Sequence, residues 1–478
     1  MSEAVVIRGA DWVVAWDESR GDHVYLRNAD VAFAEGRFLH VGGRYDGPAA
    51  TEISGDGVMV MPGLIDIHSH LSSEPGNKGL LEELGSPKLG QSSLYEFMPV
   101  FRVAEGAAAV ATQAGVAEML RSGVTTVVDL SGARPGWDEL LASTGIRAVL
   151  CPMYRSAVWR TPDGHSVEYT WDEKAGEAAF QTALDAVDAG TKHPSGRIGG
   201  MLSPAQLDTC TPELLRDSLA EAKRRGMKMH IHAAQSLVEF EQIVRRHGKT
   251  PIEYLDHLGL LGPDTIVAHG IFLNDHPMVH WPEADDFGLL KASGASVAHC
   301  PTVFCRRGIA LNDVHRYHTA GIGLGIGTDT FPHNLIEEMR HACLMGRVGS
   351  GKLSSASTAE AFAAATHGGA AMLGRPDLGR VAVGAAADFS LVDLTHPAMR
   401  PLRDPLRSLI YTAADRAVRD VFVAGEKVVE NGQALHVDEM AALDALQGYQ
   451  EESIATVGDR DWAGRSIDQM SPTVYPVQ

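Results

Sequence analysis

A chain of 478 residues, 45% hydrophobic and 21% charged, can hold one large α/β barrel or two to three ordinary domains. Its formal net charge of −20 argues against nucleic acid or an anionic membrane surface as partner, and says little about a small neutral substrate. No apolar run reaches the roughly 18 residues a membrane span needs, and Met1 to Gly9 lacks the basic and apolar regions of a signal peptide.

Residues 1 to about 60 read as strands and turns. Val5-Val-Ile, Trp12 to Trp16, Val31-Ala-Phe and Phe38 to Val41 are short apolar or alternating runs, separated by Gly, Asp and Asn. They bury little by themselves and need partners. Matching runs stand at the far end, at Val381-Ala-Val, Ala387 to Asp393 and Val421 to Val429. Both chain ends are expected to join in one small β-sandwich.

Val58 to Ile67 reads as a single buried strand that closes on His68-Ser-His70. Successive side chains of a strand point to opposite faces, so the two histidines share one face. Two imidazoles on one side of a strand end make half of a metal site. The connection from Leu71 to Pro99 is long for a strand-to-helix loop and is expected to cover the substrate, with Tyr95 and Phe97 setting specificity.

From about residue 61 to 374, strands alternate with helical stretches, the pattern of βα units around a parallel sheet. A helix is expected near Ala104 to Ser122, before Val124 to Asp129, and Ile146 to Cys151 follows. A helix near Glu173 to Ala189 precedes Ile198 to Leu202. Pro212 to Arg225, with Pro first and basic residues last, feeds Met227 to His232. Helices at Ser236 to His247 and Pro251 to Leu258 lead to Thr265 to His269. Ala295 to His299 and Ile322 to Asp329 bring the strand count to eight, which closes a barrel whose sites lie at the strands' C-terminal ends. An Ala-rich helix from Thr358 to Leu373 follows, and the tail from about Asp438 begins as a helix. The expected division is 1–60 and 375–435 for the sandwich, 61–374 for the barrel and 436–478 for the tail.

Cys151, Cys210, Cys300, Cys305 and Cys343 are scattered, with no CxxC spacing. Reduced thiols in a cytoplasmic protein are the expectation, with Cys300 and Cys305 in the core.

Pro62-Gly-Leu-Ile-Asp66 followed by His68-Ser-His70 resembles the first barrel strand of the amidohydrolase superfamily, in the branch of cytosine deaminase and the atrazine chlorohydrolase-like enzymes. The resemblance runs over about residues 1 to 435. It implies a (β/α)8 TIM-like barrel with a small β-sandwich made by both chain ends. On the fifth strand, His230 and His232 share a face and periodicity cannot choose between them. The family motif, a His followed three residues later by Glu, falls on His232 and position 235. The resemblance therefore implies one divalent ion, zinc first with iron or cobalt as alternatives, held by His68, His70, His232 and Asp329. It makes Asp329 the general base and places His269 beside the reacting water. Strand four carries no lysine, so a single metal is expected. His299 of His299-Cys-Pro301 is taken as a substrate contact; His315, His318 and His333 are read as solvated.

Two departures weigh against heterocycle deamination. Gln235 stands where the deaminases carry Glu, and a neutral amide cannot shuttle a proton. The strand-four histidine that grips the heterocycle is missing from Ser203 to Glu213. The expected activity is hydrolysis of a non-peptide carbon–nitrogen bond in a small neutral amide, urea or carbamate, as in related phenylurea and thiocarbamate hydrolases. Asp329, His269 and Gln235 would act in catalysis, the last two also binding substrate. Deamination or dechlorination of an aminated heterocycle is the alternative, and a non-catalytic barrel scaffold the second. A homo-oligomer without nucleic-acid or membrane partners is expected.

Overall fold

The computed structural model describes residues 4–80, 85–104, 106–311 and 313–477. Residues 81–84 of the long loop, and Glu105 of the expected helix start, lie outside the described residues. The helix itself runs from Ala108 to Arg121.

Two four-stranded parallel sheets form the centre. One holds Leu64–Ser69, Val124–Asp129, Arg147–Leu150 and Ile198–Gly200 as neighbours in chain order; the other holds Met229–Ala233, Thr265–His269, Ser296–His299 and Leu324–Ile326. Parallel bridges at Leu202–Met229 and Ser69–Asp329 connect their edges. The strands are β-branched, apolar and almost wholly buried, as expected of parallel strands covered by helices on the outside. The helix Pro212–Arg225 is bounded as its sequence predicts. Thr211 accepts from the Leu214 N–H at its start, and Gly226 ends it at φ 66°.

The two chain ends share one seven-stranded sheet. Val58–Pro62 pairs with Trp12–Asp17 on one side and with the C-terminal strand Phe389–Asp393 on the other. A four-stranded sheet of N-terminal residues packs onto it. Ile7, Val31, Phe33 and Phe38 meet Val60, Phe389 and Phe422 in one apolar layer, which makes the β-sandwich. The protein is thus of the α/β class, with a sandwich formed by both chain ends.

One expectation changes here. Val58 to Ile67 is not one strand but two, Val58–Pro62 in the sandwich and Leu64–Ser69 in the central sheet. Gly63 makes the transfer because a Cβ there would stand 2.1 Å from Thr125 Oγ1. Arg147 on the third central strand reaches across with a two-pronged ion pair to Asp388, at 2.9 and 3.1 Å, both buried.

The post-barrel helix is also interrupted. It runs Thr358–Ala363, passes through one wide turn at Ala364–Gly368, and resumes at Gly369–Met372. The tail helix Glu439–Ala455 packs on Ala108–Arg121 through Ala442 and Leu446.

Candidate metal centre and cavity

His68, His70 and His232 come together at the C-terminal ends of the first and fifth central strands. Each is turned by a partner on its Nδ1. His70 Nδ1 donates to the Leu130 carbonyl at 2.7 Å, and His232 Nδ1 to the Ala205 carbonyl at 2.6 Å. His68 Nδ1 lies 3.0 Å from His230 Nε2. Fixing Nδ1 in this way leaves every Nε2 lone pair free and aimed inward, the usual outer-shell arrangement of metal-binding histidines. The Nε2 atoms of His70 and His232 stand 3.4 Å apart.

Asp329 completes the cluster. Its Oδ1 is 3.4 Å from His68 Nε2 and 3.2 Å from His70 Nε2. Gly327 permits the approach, since a Cβ there would sit 2.7 Å from that of His68. The chain enters the site through a left-handed residue, Asp329 at φ 59°, and His269 stands at φ 74°. Such backbone is costly for non-glycine residues and persists where surrounding structure holds it. Buried Asp66 supplies that hold: it accepts from the His68 N–H at 3.0 Å and the Thr328 hydroxyl at 2.7 Å, tying strand eight to strand one.

The electrostatics suit a cation. Burial keeps His232 and His230 neutral, well below the ordinary histidine range. Burial pushes Asp329 up, but the adjacent His68 and His70 rings outweigh it and hold the carboxylate well below its ordinary range. Burial likewise pulls His70 down, yet Asp329 draws it up to about 9, so this spot stabilises positive charge. Three inward nitrogens and one anionic oxygen are a donor set for a divalent ion of the zinc type. His68, His269, Cys300 and Asp329 also lie close enough to share an ion. Cys300 does not line the cavity, whereas His70, His232 and Asp329 do, so the three-histidine set is preferred.

A cavity of about 460 Å³ opens over this cluster, with His70, His232, His269, Gln235 and Asp329 on its floor. His269 is buried and neutral, burial taking it to about 3, with Nδ1 unpartnered. The Gln235 amide nitrogen is likewise buried without a partner, while its backbone N–H is held by Glu239. His299 is buried and does not line the cavity; burial lowers it to about 4.

Other expectations change. The long loop reaches the cavity through Leu94, Met98, Pro99 and Arg102. Tyr95 is buried behind it, its hydroxyl 2.9 Å from Ser236 Oγ, and Phe97 faces a smaller neighbouring hollow. His333 is fully buried near Ser69 and Thr328, not solvated, because it closes the turn that carries Asp329. His315 is half-buried on Glu360 at 2.5 Å; His318 is exposed.

Sequence reading missed the cavity's charged wall: Glu74, Arg102, Arg155 and Arg307. Glu74 lies four residues beyond His70, and Arg155 follows the third strand's end. Those positions were the available signal. Burial pushes the Glu74 carboxyl up to about 7.

The sequence model of the amidohydrolase family matches residues 59–428. A 5-methylthioadenosine/S-adenosylhomocysteine deaminase of Halobacterium salinarum is 30% identical over 453 residues, covering 92% of this chain and 96% of its own. A zinc-bound adenosine deaminase of Xanthomonas campestris superposes with TM-score 0.78 at 23% identity, over 94% of this chain and 98% of that one. An atrazine chlorohydrolase of Arthrobacter aurescens, complexed with zinc, gives TM-score 0.77 at 23% identity, over 93% and 100%.

Proposed function

The chain belongs to the amidohydrolase family, and we propose that it is a metal-dependent hydrolase cleaving a non-peptide carbon–nitrogen bond of a small molecule. The observation that carries this is the convergence of His68, His70, His232 and Asp329, the last three lining the cavity and His68 buried beneath them. These four would hold one divalent ion, with zinc favoured because the solved neighbours contain it. When bound, such an ion lowers the pKa of a coordinated water toward 7 and polarises a carbonyl or ring carbon. In this reading the eight parallel strands close into a (β/α)8 barrel over 61–374, with the sandwich from 1–60 and 375–435 and a docked tail at 436–478. In this reading the enzyme is a cytoplasmic homo-oligomer, and its five free cysteines accord with a reducing setting.

The residues divide the work. Asp329 takes the proton of the attacking water and passes it to the departing amine. His269, neutral and with a free ring nitrogen, steadies the charge that develops on the attacked group. Gln235 orients the substrate through its unpartnered amide nitrogen. His299 supports the floor from behind. Because Gln235 cannot exchange a proton, an amide, urea or carbamate is the preferred substrate class: one carboxylate suffices for its hydrolysis.

Deamination of an aminated heterocycle is the second reading. It is favoured by the names of the relatives and by Glu74, a buried carboxyl on the cavity wall that could do the absent glutamate's work. A panel of anilides, phenylureas, carbamates, aminopurines and triazines, scored for amine or ammonia, separates the two. Gln235→Glu should leave native turnover flat or lower it if acyl bonds are cut. Ammonia from aminopurines alone, together with a gain in that variant, would overturn the first reading.

A further inference from the structure

The cavity is cationic inside an acidic protein. Arg102 comes from the long loop after strand one, Arg155 from the loop after strand three, and Arg307 from the turn after Pro301–Cys305. None of the three forms an ion pair or a side-chain hydrogen bond with any described residue, and Arg307 Nε is buried without a partner. Elsewhere most buried or half-buried arginines are matched, as Arg147 is by Asp388 and Arg225 by Asp188. Unpaired guanidinium groups on a cavity wall are costly unless something fills the gap. Burial lowers both Arg155 and Arg307; Arg155 also feels the like charge of Arg102 and the opposite charge of Asp208, and Arg307 the opposite charges of Asp329 and Glu74, none of them in direct contact with it. Against these stands Glu74, the one acidic wall residue besides Asp329 among the described residues.

Resting on the hydrolase reading, we propose that the substrate carries an anionic group, a carboxylate or a phosphate, held by Arg155 and Arg307 while its scissile bond lies over Asp329. The planar guanidinium fork matches both anions two-pronged. Arg102, more exposed, sits at the mouth and draws the anion inward. Trp159, whose ring centre is 5.9 Å from the Arg155 guanidinium, and Phe304 give flat apolar surfaces for the body of the molecule. This narrows the small neutral substrate expected from the sequence to one whose reacting amide, urea or carbamate is neutral but which carries an anionic group elsewhere.

The test is direct binding to the zinc-loaded protein by calorimetry, using benzamide, benzoate and phenyl phosphate as matched probes. Benzoate or phenyl phosphate should bind at least tenfold more tightly than benzamide, and whichever wins identifies the anion. Arg155→Gln and Arg307→Gln should each lose that advantage by about tenfold, keep benzamide binding, and retain zinc content and circular dichroism. Arg155→Lys should recover part of it. Anion affinity unchanged in both Gln variants, or benzamide binding as well as the anions, would overturn the subsite. Turnover plays no part in the measurement, so inactivity on the carbon–nitrogen panel would sink hydrolysis and leave this inference standing.

Discussion

His230 is the sharpest place to perturb the centre without touching a proposed ligand. With His68 Nε2 facing inward, Nδ1 carries the proton and donates to His230 Nε2 at 3.0 Å, both rings being fully buried. His230→Leu removes the acceptor and leaves that N–H unsatisfied in an apolar site, a cost of about 1–3 kcal/mol. At about 1.4 kcal/mol per decade this corresponds to a loss of roughly 10- to 100-fold in metal affinity, the range typical of outer-shell partners of metal-binding histidines. A competition titration with a chromophoric zinc chelator measures it. His230→Gln, which restores an acceptor, should regain most of the loss. A His230→Leu affinity within threefold of the wild type would refute this account of how His68 is oriented.

His232→Ala should abolish both metal retention and turnover, whereas His269→Ala should keep the metal and lower kcat; metal analysis beside steady-state kinetics checks both, and a metal-free His269→Ala would move that residue among the ligands. Away from the site, burial raises Asp286 from 3.8 to about 6 in the folded protein. The folded state therefore binds the extra proton between those values, and stability from this group falls as pH rises from about 4 to 6. The gap corresponds to roughly 3 kcal/mol at most. Asp286→Asn should gain on the wild type across that window in thermal melts, and a difference independent of pH would contradict the assignment.

The central parallel strands and the histidine pair were legible because periodicity and strand-end placement are local properties. In the sequence His232 is set apart from His230 only through the family motif, since both point the same way along the strand; their different partners, the Ala205 carbonyl and His68, are tertiary. His333 misled because its neighbours in sequence are polar, while its burial comes from Ser69 and Thr328. The hairpin Ala157–Arg160 with Glu168–Trp171, which carries Trp159 to the cavity, went unread although Pro162-Asp163-Gly164 between its strands is a turn signal; it stands outside the strand–helix alternation that organised the reading. The arginines escaped notice for a related reason. A guanidinium reads as surface in a sequence, and only loop convergence turns three scattered ones into a wall.

The passage of the chain through Gly63 has a consequence for how the protein breathes. The histidine pair is the far end of a segment whose first half is clamped between an N-terminal and a C-terminal strand of the sandwich. Parting of the interior strand Phe389–Asp393 from Val58–Pro62 would release the latter, and with it the register of Leu64–Ser69 against Val124–Asp129. Local opening at the two ends of the chain and loosening of the histidine cluster are then one event, and amide exchange in both should share a single opening free energy.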